Sequence, residues 1–337
     1  MSRIMKALVL TAAEGPASVE LKDVKSPAPG AGEVLVALKA ASLNHRELWI
    51  TRGKYPGMRL PCTLGCDGAG IVESVGAEVN PALLGTRVVL YPGLEWGPEL
   101  RFPGPNFGLL GMPGPGTVAE QIVVPVENVA PAPSFLDFEE AAATALAGLT
   151  AWRGLTTKAG LAAGNKILIT GIGGGVATFA LKFAVAIGAT AYVSSGSPAT
   201  LEQAIKLGAK GAFNYNEPDW RKAVARQTGG LDVVFDGAPA AAYANYSRAL
   251  KVGARVVIYG STGGPQFPLN APEVFLKNLQ IVGTNVGNPR EFRDMLAFVE
   301  RHKIHPVIDR RFSFAFAKDA LVFLESSHQF GKVVISI

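Results

Sequence analysis

The 337-residue sequence is poor in cysteine, and this scarcity excludes a small disulfide-stabilised secreted domain. Only Cys62 and Cys66 are present, whereas a disulfide framework needs several pairs of cysteines. No apolar stretch approaches the roughly 18 uninterrupted residues of a membrane span. The apolar stretch at the N-terminus is too short for a signal peptide, and Glu14 and Gly15 follow where a cleavage site would lie. These absences predict a soluble protein of the reducing cytoplasm.

Clustered basic residues are also missing, which argues against a nucleic-acid partner. The 32 Lys and Arg residues exceed the 27 Asp and Glu residues, but they are scattered along the chain and form no run. Hydrophobic residues make up 48% of the sequence and charged residues 18%, a composition that excludes a disordered chain. The length is sufficient for two domains with cores of their own.

The first third of the chain lacks helical periodicity and contains short apolar runs bounded by Gly or Pro. We predict strands at residues 33–39, 69–75, 87–90 and 116–126. Residues 92–116 carry too many Gly and Pro for regular structure and are predicted to form a long ordered loop. This part of the chain is therefore expected to be a β-rich, barrel-like domain.

From residue 138 onward, strands and helices alternate. After a helix at 138–152, the strands are predicted at 166–170, 190–194, 211–213, 231–235 and 254–259, and the helices at 174–187, 199–207, 218–227 and 240–250. Apolar strands separated by helices are typical of a parallel sheet covered on both faces. A helix at 289–302 and strands at 312–314 and 332–335 are expected to return to the first domain. The fold class is thus α/β, with a β-rich domain and a doubly wound parallel-sheet domain.

Four glycines lie within five positions after the strand at 166–170, at Gly171, Gly173, Gly174 and Gly175. A turn without side chains lets a pyrophosphate approach the N–H groups at the start of a helix, where the helix dipole stabilises negative charge. The position between a strand and a helix favours this dinucleotide site. The alternative is a tight turn in an α/β protein that binds no nucleotide.

No acidic residue stands at the end of the next strand, where Asp or Glu normally binds the ribose hydroxyls of NAD. The sequence there contains Ser194 and Ser195, whose hydroxyls leave room for a phosphate and can donate to it. We therefore predict NADP(H) as the cofactor. No Lys or Arg follows immediately, so Tyr215 is the candidate for an additional contact, with Lys182 as the alternative.

Motifs along essentially the whole chain resemble those of the medium-chain dehydrogenase/reductase superfamily, and in particular its zinc-independent quinone oxidoreductase-like branch. The similar segments, in order, are PCTLGCDGAGIV at 61–72, GTVAEQ at 116–121, EEAAA at 139–143, AGLTAW at 147–152, the glycine turn at 171–177 and FGKVV at 330–334. The resemblance implies a GroES-like catalytic domain, formed by residues 1–129 with 286–337, and a Rossmann NADP(H)-binding domain at 130–285. It also implies a cleft that holds nicotinamide and substrate, and a homodimer.

The resemblance and the strand ends together yield a set of expected cofactor contacts. These are Thr150, Gly174, Gly175, Val176, Ser194, Ser195, Tyr215, Gly237, Gly260, Ser261, Thr262, Thr284, Asn285, Val286 and Lys332. Asp236, next to Gly237, is expected to be structural.

Zinc-dependent members of the superfamily usually carry a Cys where this chain has Asn44 and a His-Glu pair where it has Cys66 and Asp67. Residues 147–149 contain no ligand in place of a further Cys. Because a catalytic zinc needs three protein ligands, no metal is predicted. The alternative is a zinc-type alcohol dehydrogenase that uses Cys66, Asp67 and His45.

Without a metal, the substrate oxygen must be polarised by hydrogen bonds. Asn44 and Tyr55 are the candidate donors, and Trp49 is a candidate apolar wall for a flat substrate; the structural alternatives are that Asn44 caps a helix and Trp49 lies in the core. Arg46 and Glu47 are expected to form a surface or domain-facing pair. The predicted function is hydride transfer from NADPH to a small-molecule quinone or α,β-unsaturated carbonyl compound. A protein that binds NADPH without catalysis is the alternative from another class.

Overall fold

The computed structural model describes residues 3–337, which divide into two compact units. The first unit comprises the described residues up to Leu149 together with Asn288–Ile337, and the second comprises Thr150–Gly287. The first boundary lies twenty residues beyond the predicted one at 129/130. The start of the helix at Phe138 belongs to the first unit because its acidic side chains bind residues there, as Glu139 Oε2 accepts from Arg311 Nε at 3.0 Å.

Strands and helices follow one another closely. Up to residue 153 they are β1 (Ile4–Leu10), β2 (Val19–Lys25), β3 (Glu33–Leu43), α1 (His45–Thr51), β4 (Cys62–Thr63), β5 (Asp67–Val75), β6 (Arg87–Leu90), β7 (Gly93–Leu94), β8 (Gly108–Leu109), β9 (Gln121–Pro125), β10 (Val129–Pro131) and α2 (Phe138–Arg153). A π-helical turn at Gly154–Lys158 is followed by β11 (Lys166–Ile169), α3 (Gly175–Ile187), β12 (Thr190–Ser195), α4 (Pro198–Lys206), β13 (Gly211–Asn214), α5 (Trp220–Thr228), β14 (Leu231–Asp236), α6 (Pro239–Tyr246), β15 (Leu250–Ile258), α7 (Ala271–Leu276) and β16 (Gln280–Gly283). The chain ends with α8 (Pro289–His302), β17 (Ile308–Ser313), α9 (Ala317–Glu325) and β18 (Lys332–Ser336).

The first unit is built on a sheet in the order β10-β6-β5-β3-β18-β17, with β9 also paired to β3. The long strand β3 pairs antiparallel with both β5 and β18, so this pairing brings the C-terminal strand beside the first third of the chain. A smaller sheet has the order β2-β1-β4. The predicted strand at 116–126 is shorter in the structure, at Gln121–Pro125, and the predicted loop at 92–116 contains the short pair β7-β8.

The second unit contains a parallel sheet in the order β13-β12-β11-β14-β15-β16. This is the strand order of the Rossmann fold, with the chain reversing direction across the sheet after β13. The strands read as apolar runs because helices cover both faces, and Ile167, Val193 and Phe235 are fully buried. The order places β16 at one edge.

Candidate functional site

A buried polar cluster lies where β3 ends and α1 begins. The N–H group of Asn44, the residue before α1, donates to Glu47 Oε2 at 2.7 Å, so Glu47 helps to satisfy the start of the helix. Asn44 is the N-cap residue of α1 and forms a capping box with Glu47, as one reading of the sequence expected. Its Nδ2 donates to Asp67 Oδ2 at 2.9 Å and lies 3.5 Å from Cys66 Sγ.

Lys332 of β18 completes this cluster. Its Nζ donates to Leu43 O at 2.7 Å, to Asn44 Oδ1 at 2.6 Å and to Asp67 Oδ2 at 3.1 Å. The Lys332 side chain is 3% exposed and that of Asp67 is fully buried. These three acceptors match the three hydrogens of an ammonium group. Contact between Lys332 and the cofactor stays a prediction.

Asp67 is held by several elements of the first unit. Its second carboxylate oxygen, Oδ1, accepts from the Leu146 N–H at 2.8 Å, and its backbone carbonyl accepts from Thr117 Oγ1 at 2.7 Å. A buried carboxylate is tolerated only when it is paired and hydrogen-bonded. Both requirements are met here, so the carboxylate is anchored in one orientation.

This donor set does not fit a zinc ion. The Cys66 thiol and the Asp67 carboxylate face the Asn44 amide and the Lys332 ammonium, which are hydrogen-bond donors, and a cation would be repelled by Lys332. Across residues 3–337, the structure contains no group of three or more His, Cys, Asp or Glu side chains that could hold a metal ion. His45, the proposed third ligand, is exposed on α1.

Three pKa shifts follow from burial in and beside this cluster. Burial raises the pKa of the Cys66 thiol well above its usual value, and the carboxylates of Glu47 and Asp67 raise it further. Burial also raises the pKa of the Glu47 carboxyl, which Arg46 partly opposes. His45 has a lowered pKa, because surrounding protein atoms desolvate the ring and Lys332 and Arg52 add positive charge. Cys66 is therefore a neutral thiol at neutral pH, a poor nucleophile and a poor metal ligand.

Arg46 and Glu47 are buried, so the surface position expected for this pair is wrong, and the alternative of a domain-facing pair stays a prediction. The Arg46 side chain is 8% exposed and the Glu47 side chain is fully buried, with Arg46 Nη1 3.2 Å from Glu47 Oε1. The half-buried Tyr55 ring lies over the Arg46 guanidinium at 4.8 Å. Trp49 is 47% exposed, so it is not a core residue. Arg46 and Glu47 are buried because α1 packs on the core of the first unit through Leu48 and Ile50.

In the second unit, the glycine turn connects β11 to α3 as predicted. Gly174 is the residue before α3, and the N–H groups of Gly175 and Val176 are in the first helical turn, which has no intrahelical acceptors for them. A Cβ built on Gly171 or Gly174 would meet no atom within 4 Å. The open space beside these glycines fits a pyrophosphate at the start of the helix.

The residues predicted for the ribose end are the last two of β12 and the first after β13. Ser195 is 9% exposed and Tyr215 is 49% exposed, and the Tyr215 N–H donates to Ser195 O at 3.2 Å. Ser194 is 1% exposed, so its buried side chain is poorly placed for a phosphate. Ser197, an exposed N-cap residue of α4, is a hydroxyl that the sequence analysis did not select.

The other predicted cofactor contacts occupy the carboxyl ends of β14, β15 and β16 or the start of the unit. Asp236 is structural as expected, since it is fully buried and accepts from Thr170 Oγ1 at 2.6 Å and Tyr246 Oη at 2.7 Å. Gly237 packs against the Tyr259 ring. The remaining residues are Gly260, exposed Ser261 and Thr262, Thr284, exposed Asn285, and buried Val286 and Thr150.

The sequence did not reveal that Lys332, Arg46 and Glu47 form buried ion pairs in the first unit. One local signal was present for Lys332, a single charged residue at the start of the apolar strand KVVIS. No local signal marked Arg46 and Glu47, which lie in a helix of seven residues that is too short for a clear periodicity.

Comparisons with known proteins agree with both units. Residues 30–134 match the alcohol dehydrogenase GroES-like domain, and residues 175–301 match the zinc-binding dehydrogenase family. The chain is 39% identical to the zinc-type alcohol dehydrogenase-like protein YogA of Leptosphaeria maculans, over 95% of this chain and 94% of that protein. It is 27% identical to the quinone oxidoreductase of Rattus norvegicus, over 99% of this chain and 98% of that enzyme.

A solved structure of an NAD-dependent alcohol dehydrogenase superposes with a TM-score of 0.93 at 37% identity, covering 99% of this chain and all of the other. No helix among residues 3–337 is long and apolar enough to cross a membrane. These findings all indicate the same superfamily. Both units match family models, and the relatives match nearly the full length of the chain. The chain is a member of the medium-chain dehydrogenase/reductase superfamily, with a GroES-like domain and a Rossmann domain, and it is an oxidoreductase of a family that binds a nicotinamide cofactor.

Proposed function

We propose that this protein transfers hydride from NADPH to a quinone or an α,β-unsaturated carbonyl compound without a catalytic metal. The observation that carries the proposal is the position of Lys332, whose ammonium is bound by Asp67 and Asn44. In a zinc-dependent site, protein ligands face a cation; here the corresponding side chains face an ammonium group. The substrate oxygen is then polarised by hydrogen-bond donors of the protein.

NADPH supplies the hydride when it is bound. The Nδ2 group of Asn44 has one strong hydrogen bond, to Asp67, and one weak contact at 3.5 Å with the Cys66 thiol. The contact with Cys66 is the weaker one, so a substrate oxygen would replace it. Tyr55 offers a hydroxyl in the same unit, and Arg46 Nε donates to its oxygen at 3.4 Å. We assign to Tyr55 the transfer of a proton to the oxygen that becomes negatively charged.

Conjugated substrates suit such a site. Hydride adds to a carbon or to the ring while the negative charge delocalises towards the oxygen, so modest donors are sufficient to stabilise it. The oxidation of a simple alcohol requires a stronger base or Lewis acid to remove the hydroxyl proton. The similarity to a quinone oxidoreductase over nearly the whole chain supports the same substrate class.

The preference for NADPH rests on the end of β12. The segment Ser194–Ser195 carries no carboxylate to repel the additional phosphate of NADP. Ser195, Ser197 and Tyr215 are polar groups of this region with at least partial exposure. A direct comparison of the dissociation constants of NADPH and NADH tests the assignment, and tenfold tighter binding of NADH would contradict it.

The function is tested by following NADPH oxidation at 340 nm with a panel of quinones, enones and enals, together with metal analysis of protein purified without chelators. We expect turnover of at least one compound and no zinc requirement. About one zinc per chain on which activity depends would refute the proposal. Tight binding of NADPH without any turnover would favour the non-catalytic alternative.

A second candidate, a zinc-type alcohol dehydrogenase, is favoured by the name of the 39% identical relative. The side chains that it would use are Cys66, Asp67 and His45. Alcohol-dependent reduction of NAD or NADP that is abolished by a chelator and restored by zinc would select this candidate. The same experiment therefore separates the two enzymes.

We also propose a homodimer and suggest the edge strand β16 as its contact. An edge strand leaves backbone N–H and C=O groups unpaired on one side, and Phe275 and Leu276 of the preceding helix are 64% and 69% exposed. Replacement of both side chains by Glu is expected to yield monomers in light scattering.

The cytoplasmic location of the protein remains a prediction from the sequence.

A further inference from the structure

The guanidinium of Arg46 makes several hydrogen bonds within the first unit. Nη1 donates to Leu110 O at 2.8 Å and lies 3.2 Å from Glu47 Oε1, and Nε donates to the Tyr55 hydroxyl at 3.4 Å. The side chain is 92% buried, since only 8% of its surface is exposed. These contacts hold the guanidinium in one orientation.

The remaining nitrogen, Nη2, is buried and has no hydrogen-bond partner among residues 3–337. A buried donor on a charged group is costly when it is left unsatisfied, and such groups are rare in folded proteins. The structural contacts of Arg46 therefore do not account for the whole side chain. An atom of this kind needs an acceptor, and no protein atom supplies it.

The direction of Nη2 follows from the planar shape of the guanidinium. The Nε–H and one Nη2–H point from the same edge of the group, which is how Arg binds two oxygens side by side. Because Nε faces the Tyr55 hydroxyl, Nη2 faces the same side. Nη2 itself is buried, whereas the neighbouring Tyr55 is half-buried and is followed by exposed residues 56–57.

Nη2 is the part of the Arg46 guanidinium that no ion pair uses. Arg46 pairs with Glu47 through Nη1, and Lys332 pairs with Asp67. The Glu47 carboxylate is already used by the Asn44 N–H and by Arg46 Nη1. Nη2 is consequently a donor that is not committed to either pair.

We propose that Arg46 is a substrate-binding residue, whose Nη2 donates to the substrate oxygen beside the Tyr55 hydroxyl. The inference rests on the proposed function and deepens it, because it specifies an oxygen that becomes an enolate or a hydroquinone anion during reduction. Hydride adds to the conjugated carbon, the carbon–oxygen π electrons move to the oxygen, and the Tyr55 proton neutralises it, with water returning the proton to Tyr55. Arg46 supplies a fixed positive charge throughout these steps.

The test uses 4-nitrophenolate, a stable aromatic oxyanion that does not need to be turned over. Its absorption spectrum shifts on binding, and the titration is performed on the full chain with saturating NADP+ or NAD+, whichever binds more tightly. Removal of Arg46 alone would leave the buried Glu47 unpaired. The informative comparison is therefore between Glu47→Gln and Arg46→Met/Glu47→Gln, which differ only in the guanidinium.

We expect the phenolate to bind roughly 10- to 100-fold more weakly to the double variant than to Glu47→Gln, as is typical for the loss of a hydrogen bond to a charged group. Arg46→Lys keeps the charge but not the planar fork, so an intermediate affinity is expected. Addition of free guanidinium should restore part of the affinity in Arg46→Ala/Glu47→Gln, which a merely structural role would not produce. Arg52→Met is the matched control, because it removes an exposed Arg just after the same helix, and it should bind normally.

Equal phenolate affinity in Glu47→Gln and Arg46→Met/Glu47→Gln would overturn the inference, as would a wild-type protein that binds no phenolate. The result of the phenolate titration is independent of the result of the turnover assay that tests the proposed function. If the wild type fails to reduce every quinone and enone but binds the phenolate through Arg46, the reaction is misassigned and the oxyanion site stands. Circular dichroism and cofactor titration on each variant identify any protein that has lost its fold.

Discussion

Replacement of Lys332 by Met tests the ion pair on which the metal-free assignment depends. Met approximates the length of the Lys side chain but leaves the fully buried Asp67 carboxylate without a cation. At the observed 3.1 Å, two unit charges attract by about 5 kcal/mol at an effective dielectric constant of about 20. Desolvation offsets part of this attraction, and loss of one partner of a buried pair typically costs about 3–5 kcal/mol.

We therefore expect Lys332→Met to lower the free energy of unfolding by about 3–5 kcal/mol. Asp67→Asn in the same background removes the unpaired charge, so Lys332→Met/Asp67→Asn should be more stable than Lys332→Met. Urea unfolding followed by intrinsic fluorescence measures the four corners of this double-mutant cycle. Strictly additive effects, or an unaltered stability of Lys332→Met, would refute the reasoning from the buried pair.

Lys332 also permits a spectroscopic test of whether its ammonium group keeps a metal ion out of the site at Cys66 and Asp67. Asn44→Cys adds a potential third ligand to Cys66 and Asp67, but Lys332 still opposes a metal ion. We expect Co2+ to produce thiolate-to-metal charge-transfer absorption with Asn44→Cys/Lys332→Met and not with Asn44→Cys alone. Equal spectra for the two variants would show that Lys332 does not exclude the cation.

Three further predictions concern the cofactor turn, the ribose end and the buried thiol. Gly174→Val should weaken NADPH binding at least tenfold with little change in melting temperature, because its Cβ meets no protein atom but enters the space assigned to the pyrophosphate. The control is Gly114→Ala in the first unit, whose Cβ would make an ordinary contact with the Leu94 side chain of the same unit. Unaltered NADPH affinity in Gly174→Val would contradict the assignment. Ser195→Asp should weaken NADPH more than NADH, since a carboxylate repels the additional phosphate, whereas Thr190→Asp, at the opposite end of the same strand, should not discriminate in isothermal titration. Cys66 should resist alkylation by iodoacetamide in the native protein, because burial raises the pKa of its thiol; mass spectrometry after a timed reaction detects modification, and rapid labelling would contradict the buried neutral thiol.

The order of strands and helices in the second unit was predictable because the pattern that encodes it is local. Apolar strands and amphipathic helices alternate over short windows, and the predicted strand at 231–235 is Leu231–Asp236 in the structure. The glycine turn was equally local, since a strand, four glycines and a helix follow one another within twenty residues. Two features differ substantially. The predicted boundary at 129/130 lies too early, because residues 138–149 of one continuous helix belong to the first unit, and α7 and β16 were not predicted.

The candidate site could be anticipated from the sequence only in part. Asn44 and Tyr55 were selected from the segment after β3, and their roles stay predictions, as does the absence of zinc. The pairing of Lys332 with Asp67 was not predicted, because the two residues lie 265 positions apart and no local pattern connects them. The burial of Arg46 and the exposure of Trp49 were equally hard to predict, since the side of a seven-residue helix that faces the core depends on how the helix docks.

The sequence by itself determined the two folds, the side-chain-free turn before α3 and the residue types available for chemistry, because backbone preference and hydrophobic periodicity act between near neighbours. The tertiary structure alone decided which of those residues meet. The register of β3 against β5 and β18 brings Asn44, Asp67 and Lys332 together, and the docking of α1 buries Arg46 with one donor unsatisfied. Such contacts between distant parts of the chain arise only when the sheet closes, and their energies depend on burial that no local stretch of sequence specifies.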